Sequence, residues 1–377
     1  VTARRRPEIK DPDLPPPDAP AASPAEAARE LCRAARALGF TAVGVAPARL
    51  PDEDRARLRE WLAAGRQGGM DYLAQDPEAR TDVASILPGA RSVLVVTLPY
   101  APPREVPPDR ARARVATYAQ PAADYHAVIA ARLEALRLFA LALLPGAAAR
   151  RFCDTTPVLE RAYARAAGLA FVGKNTLLID PRRGSTFFIG GVALDRELPA
   201  VDAQGEPLEG PRSGPLASCG TCTRCLEVCP TEAFPAPYVL DAGRCISYLT
   251  IEHRGAYDPA LRAPVGNHVF GCDLCQAVCP WNVKFAPPAD RELAPDPERA
   301  DPPLVALARR ALDGFKGIAR STPFDRPGKR GFLRNVATAL GNAGDPAARP
   351  LLEDLAAHED EGVAEHARWA LARLASP

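Results

Sequence analysis

The chain has 377 residues, of which 47% are hydrophobic and 25% charged, with a formal net charge of +1. That length predicts two or three domains, and the balance is that of a globular protein, which excludes a wholly disordered chain or a polybasic nucleic-acid coat. Its longest helical apolar segment, around Leu136 to Leu144, is interrupted by Arg137 and falls short of the roughly 18 residues a membrane span needs, so no membrane partner is expected.

Residues 1–22 are rich in proline and charge and are expected to be disordered. Arg4, Arg5 and Arg6 superficially resemble a twin-arginine leader, but prolines and aspartates follow where an apolar export region would stand, so a cytoplasmic location is expected. A helix then begins at Ser23, which can cap it, with Pro24 in the first turn, Glu26 completing a capping box, and Leu31, Ala35 and Leu38 on one face. TAVGVA reads as a strand, the segment near 52–65 as a helix, and Ser92 to Leu98 as a buried strand. Asp124 to Leu144 follows as a long helix, ARRFCD as a short strand, PVLERAYARAAG as a helix and STFFIGGVAL as a strand, so one α/β layer structure is expected over about 23–200. Asp154 stands where it could cap the PVLERAYARAAG helix. Residues of about 200–218 read as a linker. Beyond about 300, three amphipathic helical patterns carry Val336 with Leu340, Leu351 with Leu355, and Ala370 with Leu374, as stacked HEAT-type helices or a plain helical cap.

Eight of the ten cysteines fall between positions 219 and 279, a clustering that points to metal before disulfides in a cytosolic chain. Cys219, Cys222, Cys225 and Cys229 form the C-x2-C-x2-C-x3-C-P run of two-cluster bacterial ferredoxins, in which the fourth cysteine serves the other cluster. The second run, CDLCQAVCP, is incomplete, because Val269 stands where its first cysteine would be. Cys245 can replace it. The expected ligand sets are therefore Cys219, Cys222, Cys225 and Cys279 for one 4Fe-4S cluster, and Cys229, Cys245, Cys272 and Cys275 for the other. Structural zinc is disfavoured by the crowding of the triple run. Cys153 and Cys32 lie outside both sets; a buried structural thiol is expected at Cys153, and core or surface filler at Cys32.

Taken with its flanks, RCISYLTIEHRG and GNHVFGCDLCQAVCPWN, this region resembles the epoxyqueuosine reductase family. The resemblance extends through RVATYAQPAADYH, CDTTPVLERAYARAAGLAFVGKNTLLI, GSTFFIGGVAL and RGFLRNVATALGN, or about residues 25–375. It implies an enzyme that reduces epoxyqueuosine to queuosine at the wobble position of tRNA, using cobalamin and two 4Fe-4S clusters fed by a low-potential electron donor. The implied fold class is α+β: a disordered tail (1–22), a nitroreductase-like cobalamin-binding catalytic domain (23–205), a two-cluster ferredoxin-like domain (206–295) and a HEAT-like, tRNA-contacting helical module (296–377), in a monomer.

By the same resemblance Asp154 is the general acid, which requires a raised pKa in a buried site. Arg80, Tyr118, Asp154, Lys174, Asn175, Ser247 and Tyr248 are expected around the corrin, Lys174 also being free to meet a phosphate or the tRNA. His253, Arg254, Lys329, Arg330 and Arg334 are the expected tRNA contacts. Asp124 to Ile129 nearly imitates the D-x-H-x-x-G pattern of another cobalamin class, but Ile129 replaces its glycine; Asp124 is expected to cap the long helix and His126 to pack in its first turn. A corrinoid reductive dehalogenase is the alternative, opposed by the lack of an apolar export region and by the extra C-terminal helices. A ferredoxin-type carrier is opposed by about 200 residues ahead of the cysteines.

Overall fold

A computed structural model describes residues 12–103, 109–201 and 218–375. At its centre stands a four-stranded sheet of β1 (Ala42–Pro47), β2 (Ser92–Pro99), β3 (Ala149–Phe152) and β4 (Phe187–Leu194), in the order β1-β2-β4-β3. Every pairing is antiparallel. The alternation of helices and strands therefore marks layers without implying a parallel sheet, because long connections let each strand return in the opposite sense.

Alternate residues of the strands serve two cores, as the two-residue period of a strand requires. Val43, Val45, Leu94 and Val96 face helices α1 (Pro24–Ala37) and α2 (Tyr125–Leu143), whereas Ala42, Val93 and Val95 face α3 (Glu160–Ala166) through Tyr163 and Ala164. Ser23 caps α1 through Glu26 N–H, and Asp124 caps α2 through His126 N–H, both as expected. The helix near 52–65 spans Asp52–Ala63. Residues 1–11 lie outside the described residues, but the segment that follows is not a loose tail: Leu14 and Ala21 pack on the first core, and Ala21 N–H donates to Leu143 O.

A correction concerns α3. It begins only at Glu160 and its cap position is Leu159, so Asp154 is not its cap. Asp154 instead sits on the preceding loop with φ of 54°, a left-handed conformation that aspartate enters more readily than most residues.

The cysteine region is built from single helical turns and from a short parallel pair, Arg114–Val115 with His268–Phe270. Gly271, with φ of 66°, closes against Ala116, whose Cβ would lie 2.5 Å from any side chain there. That close approach sets the chain direction into Cys272. The expected linker at 202–217 lies outside the described residues.

Four helices follow: α4 (Leu304–Ala319), α5 (Gly328–Ala343), α6 (Arg349–Ala356) and α7 (Glu361–Ala375). The first was not foreseen; its core face, Leu304, Leu307, Ala308 and Ala311, precedes the three patterns read from the sequence. This helical core also takes in Ala113, Val115, Val269 and Phe270, so the helices are fused to the floor of the cysteine region.

Candidate active site and cysteine centres

Residues from segments between Met70 and Arg326 meet at one cavity of about 840 Å³. Its walls are aromatic. Tyr125 stacks on Phe188 with ring centroids 4.1 Å apart, and Tyr118 packs edge-on against both, 5.9 Å from Tyr125 and 6.3 Å from Phe188. Such walls offer flat apolar surface against which a planar group can pack.

Asp154 enters this cavity with its side chain 55% exposed. Its backbone N–H donates to Glu160 Oε1 at 2.5 Å, which ties the loop to the start of α3. Its Oδ2 accepts from Tyr125 Oη at 2.8 Å and lies 2.8 Å from His126 Nε2. His126 Nδ1 in turn lies 2.8 Å from Asp124 Oδ1. An imidazole flanked by two carboxylates satisfies both contacts only if the group holds an extra proton, carried by the ring or by a carboxyl. Burial opposes charge on His126, but the hydrogen bonds to Asp124 and Asp154 outweigh it and raise its pKa to about 9. The same bond from His126 holds Asp154 below the usual carboxylate range, against burial. The proton expected on Asp154 thus rests on His126, one hydrogen bond away. Glu160 is pushed by burial up to about 8, with the Asp154 N–H opposing, so a neutral acid underlies the loop.

The sequence reading placed His126 only as a packing residue. The pairing with Asp154 joins positions 28 residues apart, and the D-Y-H tripeptide carried the one available signal. Also missed were Arg161, Tyr72 and Arg326, all of which line the cavity. Arg326, from the loop between α4 and α5, forms a bidentate pair with Glu252 at 2.8 and 3.0 Å. The helical module therefore contributes directly to the rim.

Of the residues expected around a corrin, Arg80, Tyr118, Asn175, Ser247 and Tyr248 line the cavity. Arg80 Nη2 donates to Tyr72 O at 2.9 Å, while its Nε is buried with no partner. Tyr248 is partly committed, its hydroxyl accepting from Gly69 N–H at 2.6 Å. Lys174 departs from expectation. Its ammonium donates to Gly220 O at 2.8 Å and Cys222 O at 3.0 Å, and so pins the first cysteine turn rather than meeting a cofactor amide or a phosphate.

Seven of the eight clustered cysteines line one or other of two cavities. Cys219, Cys222, Cys225 and Cys279 surround a second cavity of about 300 Å³. Cys245, Cys272 and Cys275 line the aromatic cavity, with Cys229 near enough to Cys245 and Cys272 for its charge to act on both thiols. Buried Asn175 lines both cavities and donates to Cys275 O at 3.5 Å, so it forms the partition. Among the described residues no three His, Cys, Asp or Glu side chains could hold a single metal ion. A cubane needs no such convergence, because each of its irons takes a separate thiolate. Burial and then neighbouring thiols push Cys225 up to about 11; a cationic cluster would offset that penalty.

Among the expected tRNA contacts, Lys329 and Arg330 are exposed, Arg330 lying 3.5 Å from Glu359 and 3.7 Å from Asp360. Arg254 is exposed and donates to Ile251 O and Arg326 O, both at 3.1 Å; half-buried His253 holds Ala256 O at 2.9 Å. Arg334 is a correction. It is 2% exposed and its guanidinium is spent on Leu249 O, His253 O and Gly255 O at 2.7, 2.9 and 2.8 Å, which leaves nothing to meet a phosphate.

Two groups of cysteines beside an aromatic-walled cavity with an acid–base group define an iron–sulfur oxidoreductase. A family model described as a 4Fe-4S double cluster binding domain matches residues 218–282, and one described as epoxyqueuosine reductase QueG, DUF1730, matches 80–155. Over 368 residues the chain is 39% identical to the epoxyqueuosine reductase of Pseudomonas aeruginosa, covering 96% of this chain and 97% of that protein. The crystal structure of an epoxyqueuosine reductase with a tyrosine tRNA stem loop carrying epoxyqueuosine matches at a TM-score of 0.83 and 29% identity, over 94% of this chain and 92% of that one. The enzyme from Bacillus subtilis, in a structure whose catalytic aspartate loop is swung out of the active site, matches at 0.82 and 28%, over 93% and 91%. The chain belongs to the epoxyqueuosine reductase family.

Proposed function

We propose that the chain reduces epoxyqueuosine to queuosine in tRNA, at a site where cobalamin binds between the aromatic wall and the second cysteine set. The observation that carries this reading is the single cavity lined by Asp154 and His126 together with Cys245, Cys272 and Cys275. The residues present fit the cofactor: the unpartnered Arg80 Nε can receive a peripheral amide oxygen, and Tyr118, Ser247 and Tyr248 supply wall surface. When bound, cobalamin supplies a cobalt centre able to concentrate two reducing equivalents at one carbon.

Loss of an epoxide oxygen as water consumes two electrons and two protons. Asp154 delivers the first proton to the epoxide oxygen, drawing on His126, while Asp124 steadies the imidazolium and Tyr125 orients the shared Oδ2. Glu160 holds the loop in place through the Asp154 N–H. Cys219, Cys222, Cys225 and Cys279 would hold one cluster, and Cys229, Cys245, Cys272 and Cys275 the other, the second opening on the chemistry. Incubation of the reconstituted enzyme with epoxyqueuosine-containing tRNA, cobalamin and a low-potential reductant, followed by nucleoside mass spectrometry, tests the reading. Absence of queuosine with both cofactors bound refutes it.

Helices α4 to α7 serve as the HEAT-like module that receives the tRNA, with Arg254, Lys329 and Arg330 as phosphate contacts, and the preceding sheet is the nitroreductase-like cofactor domain. No helix among the described residues is long and apolar enough to cross a membrane; a tRNA substrate supports the reading of a cytoplasmic enzyme, acting as a monomer.

Two further outcomes follow. Turnover is expected to fall about tenfold per pH unit above about 9, where the His126 proton is lost. The linked stability contribution has the same sign. It is fully present below the unfolded histidine value of about 6.5 and disappears as pH rises through about 9, which paired pH–rate and pH–unfolding profiles would show. Cys245→Ser is expected to abolish one cluster's ordinary signal while the other persists, read by iron and sulfide content and paramagnetic resonance. Two intact clusters in that variant would remove Cys245 from the ligand set.

A further inference from the structure

The first cysteine set lines a cavity separate from the aromatic one, with Asn175 between them, and apolar side chains are exposed beside it. Among the described residues, two of the exposed large hydrophobic side chains, Val283 at 74% and Phe285 at 37%, lie on the one short helix Pro280–Phe285 that follows Cys279. Trp281 and Phe285 of this helix line the cavity shared by Cys219, Cys222, Cys225 and Cys279. Beside it Val228, Val278 and Val283 line an open depression of about 490 Å³. Arg224 borders both, so this depression, with Val283 and Phe285 exposed beside it, forms an apolar groove next to the first cysteine set.

The rim is cationic. Arg224 and Lys284 are exposed and form no ion pair among the described residues, and Lys284 Nζ lies 5.1 Å over the Phe285 ring. Glu227, the one acid lining either depression, accepts the hydroxyl of Thr223. An apolar floor with a positive rim fits an acidic protein surface that docks transiently, since rim charges govern association rate and apolar contact holds the pair together.

The electron requirement selects the kind of partner. Each cubane passes one electron at a time, whereas one turnover needs two, so a donor must arrive, discharge and leave repeatedly. Tunnelling falls steeply with distance, which favours docking directly over an outward-facing cluster. We infer that this groove is the docking surface for an acidic, low-potential, one-electron carrier protein of the ferredoxin type, whose reduced centre is oxidised as the cluster held by the Cys219 set is reduced. The inference rests on the cluster reading proposed above.

The test uses a plant-type 2Fe-2S ferredoxin of net negative charge as the probe, and the full-length enzyme with both clusters reconstituted. Binding of ferredoxin is measured by surface resonance, and cluster bleaching by rapid mixing with reduced ferredoxin or with dithionite. For Val283→Asp combined with Lys284→Glu, the dissociation constant and the ferredoxin-driven bleaching rate are each expected to worsen about tenfold, with dithionite bleaching unchanged. Bleaching of the unsubstituted enzyme by ferredoxin is expected to slow as salt is raised. Equal binding and bleaching in the variant, or failure of ferredoxin to bind an enzyme that dithionite reduces, would overturn the docking site. Iron and sulfide content separates the two failures: a chain that holds no clusters overturns the cluster reading, and the role of the groove with it.

Discussion

Asp154→Asn is expected to retain both clusters and cobalamin yet lose about 10²- to 10⁴-fold in turnover, the usual contribution of a positioned general acid. The reason lies in Oδ2, which accepts from Tyr125 and shares a proton with His126, each at 2.8 Å. An asparagine preserves shape and the left-handed loop, which it tolerates as aspartate does. It cannot pass that proton on. Single-turnover mass spectrometry with pre-reduced enzyme checks the prediction, because it isolates the chemical step from electron supply. Unchanged single-turnover rates would transfer the acid role to His126 or to a water. His126→Asn separates these further: with the proton source gone, Asp154 becomes an ordinary carboxylate, and the high-pH limb near 9 should shift downward. A variant that loses activity but keeps this limb would show His126 acting only as packing.

What could be read from the sequence depended on how local each feature was. The grouping of Cys219, Cys222, Cys225 and Cys279 around one cavity was legible because short spacings within each run, combined with the ferredoxin rule that the fourth cysteine crosses over, propose a partition before any fold is known. The absence of a cysteine at Val269 pointed to Cys245 for the same reason. Asp154 was legible as a candidate only through resemblance; its protonation was not, because His126 reaches it from the first turn of α2 and Glu160 from the start of α3. The capped starts of α1 and α2 were visible in single residues, Ser23 and Asp124. The strand directions were not, since hydrophobic alternation reports which faces are buried and says nothing of the sense in which neighbours run. Lys174 and Arg334 show the same limit for charge. A basic residue beside a loop glycine or in a basic helix looks like a phosphate ligand until its partners are known, and here they are backbone carbonyls.

For Arg334 that difference has a large consequence. Arg334→Ala is expected to cost about 3–5 kcal/mol of stability in denaturant unfolding, because it strips donors from buried acceptors and opens a void. The guanidinium donates to Leu249 O, His253 O and Gly255 O and to Asn335 Oδ1 at 2.9 Å, and it lies 4.3 Å over the Tyr257 ring. Neighbouring Asn335 continues the clamp by donating to Thr250 O at 2.7 Å and Val269 O at 2.9 Å. All of these carbonyls except Val269 O lie within residues 249–255, in or just after the short helix that carries Ser247 and Tyr248 to the cavity, so this residue pair fastens α5 to the cavity wall. Arg334→Lys should recover only part of the loss, since one ammonium cannot reproduce a planar fork aimed at several acceptors. Arg254→Ala supplies the contrast. Its side chain is exposed, so stability should change by less than about 0.5 kcal/mol, while the salt dependence of tRNA binding should flatten by about one ion. If Arg334→Ala instead folded normally and flattened the salt dependence as Arg254→Ala does, the guanidinium would have to leave its carbonyls to meet the tRNA, and the clamp between α5 and the cavity wall would be a movable one.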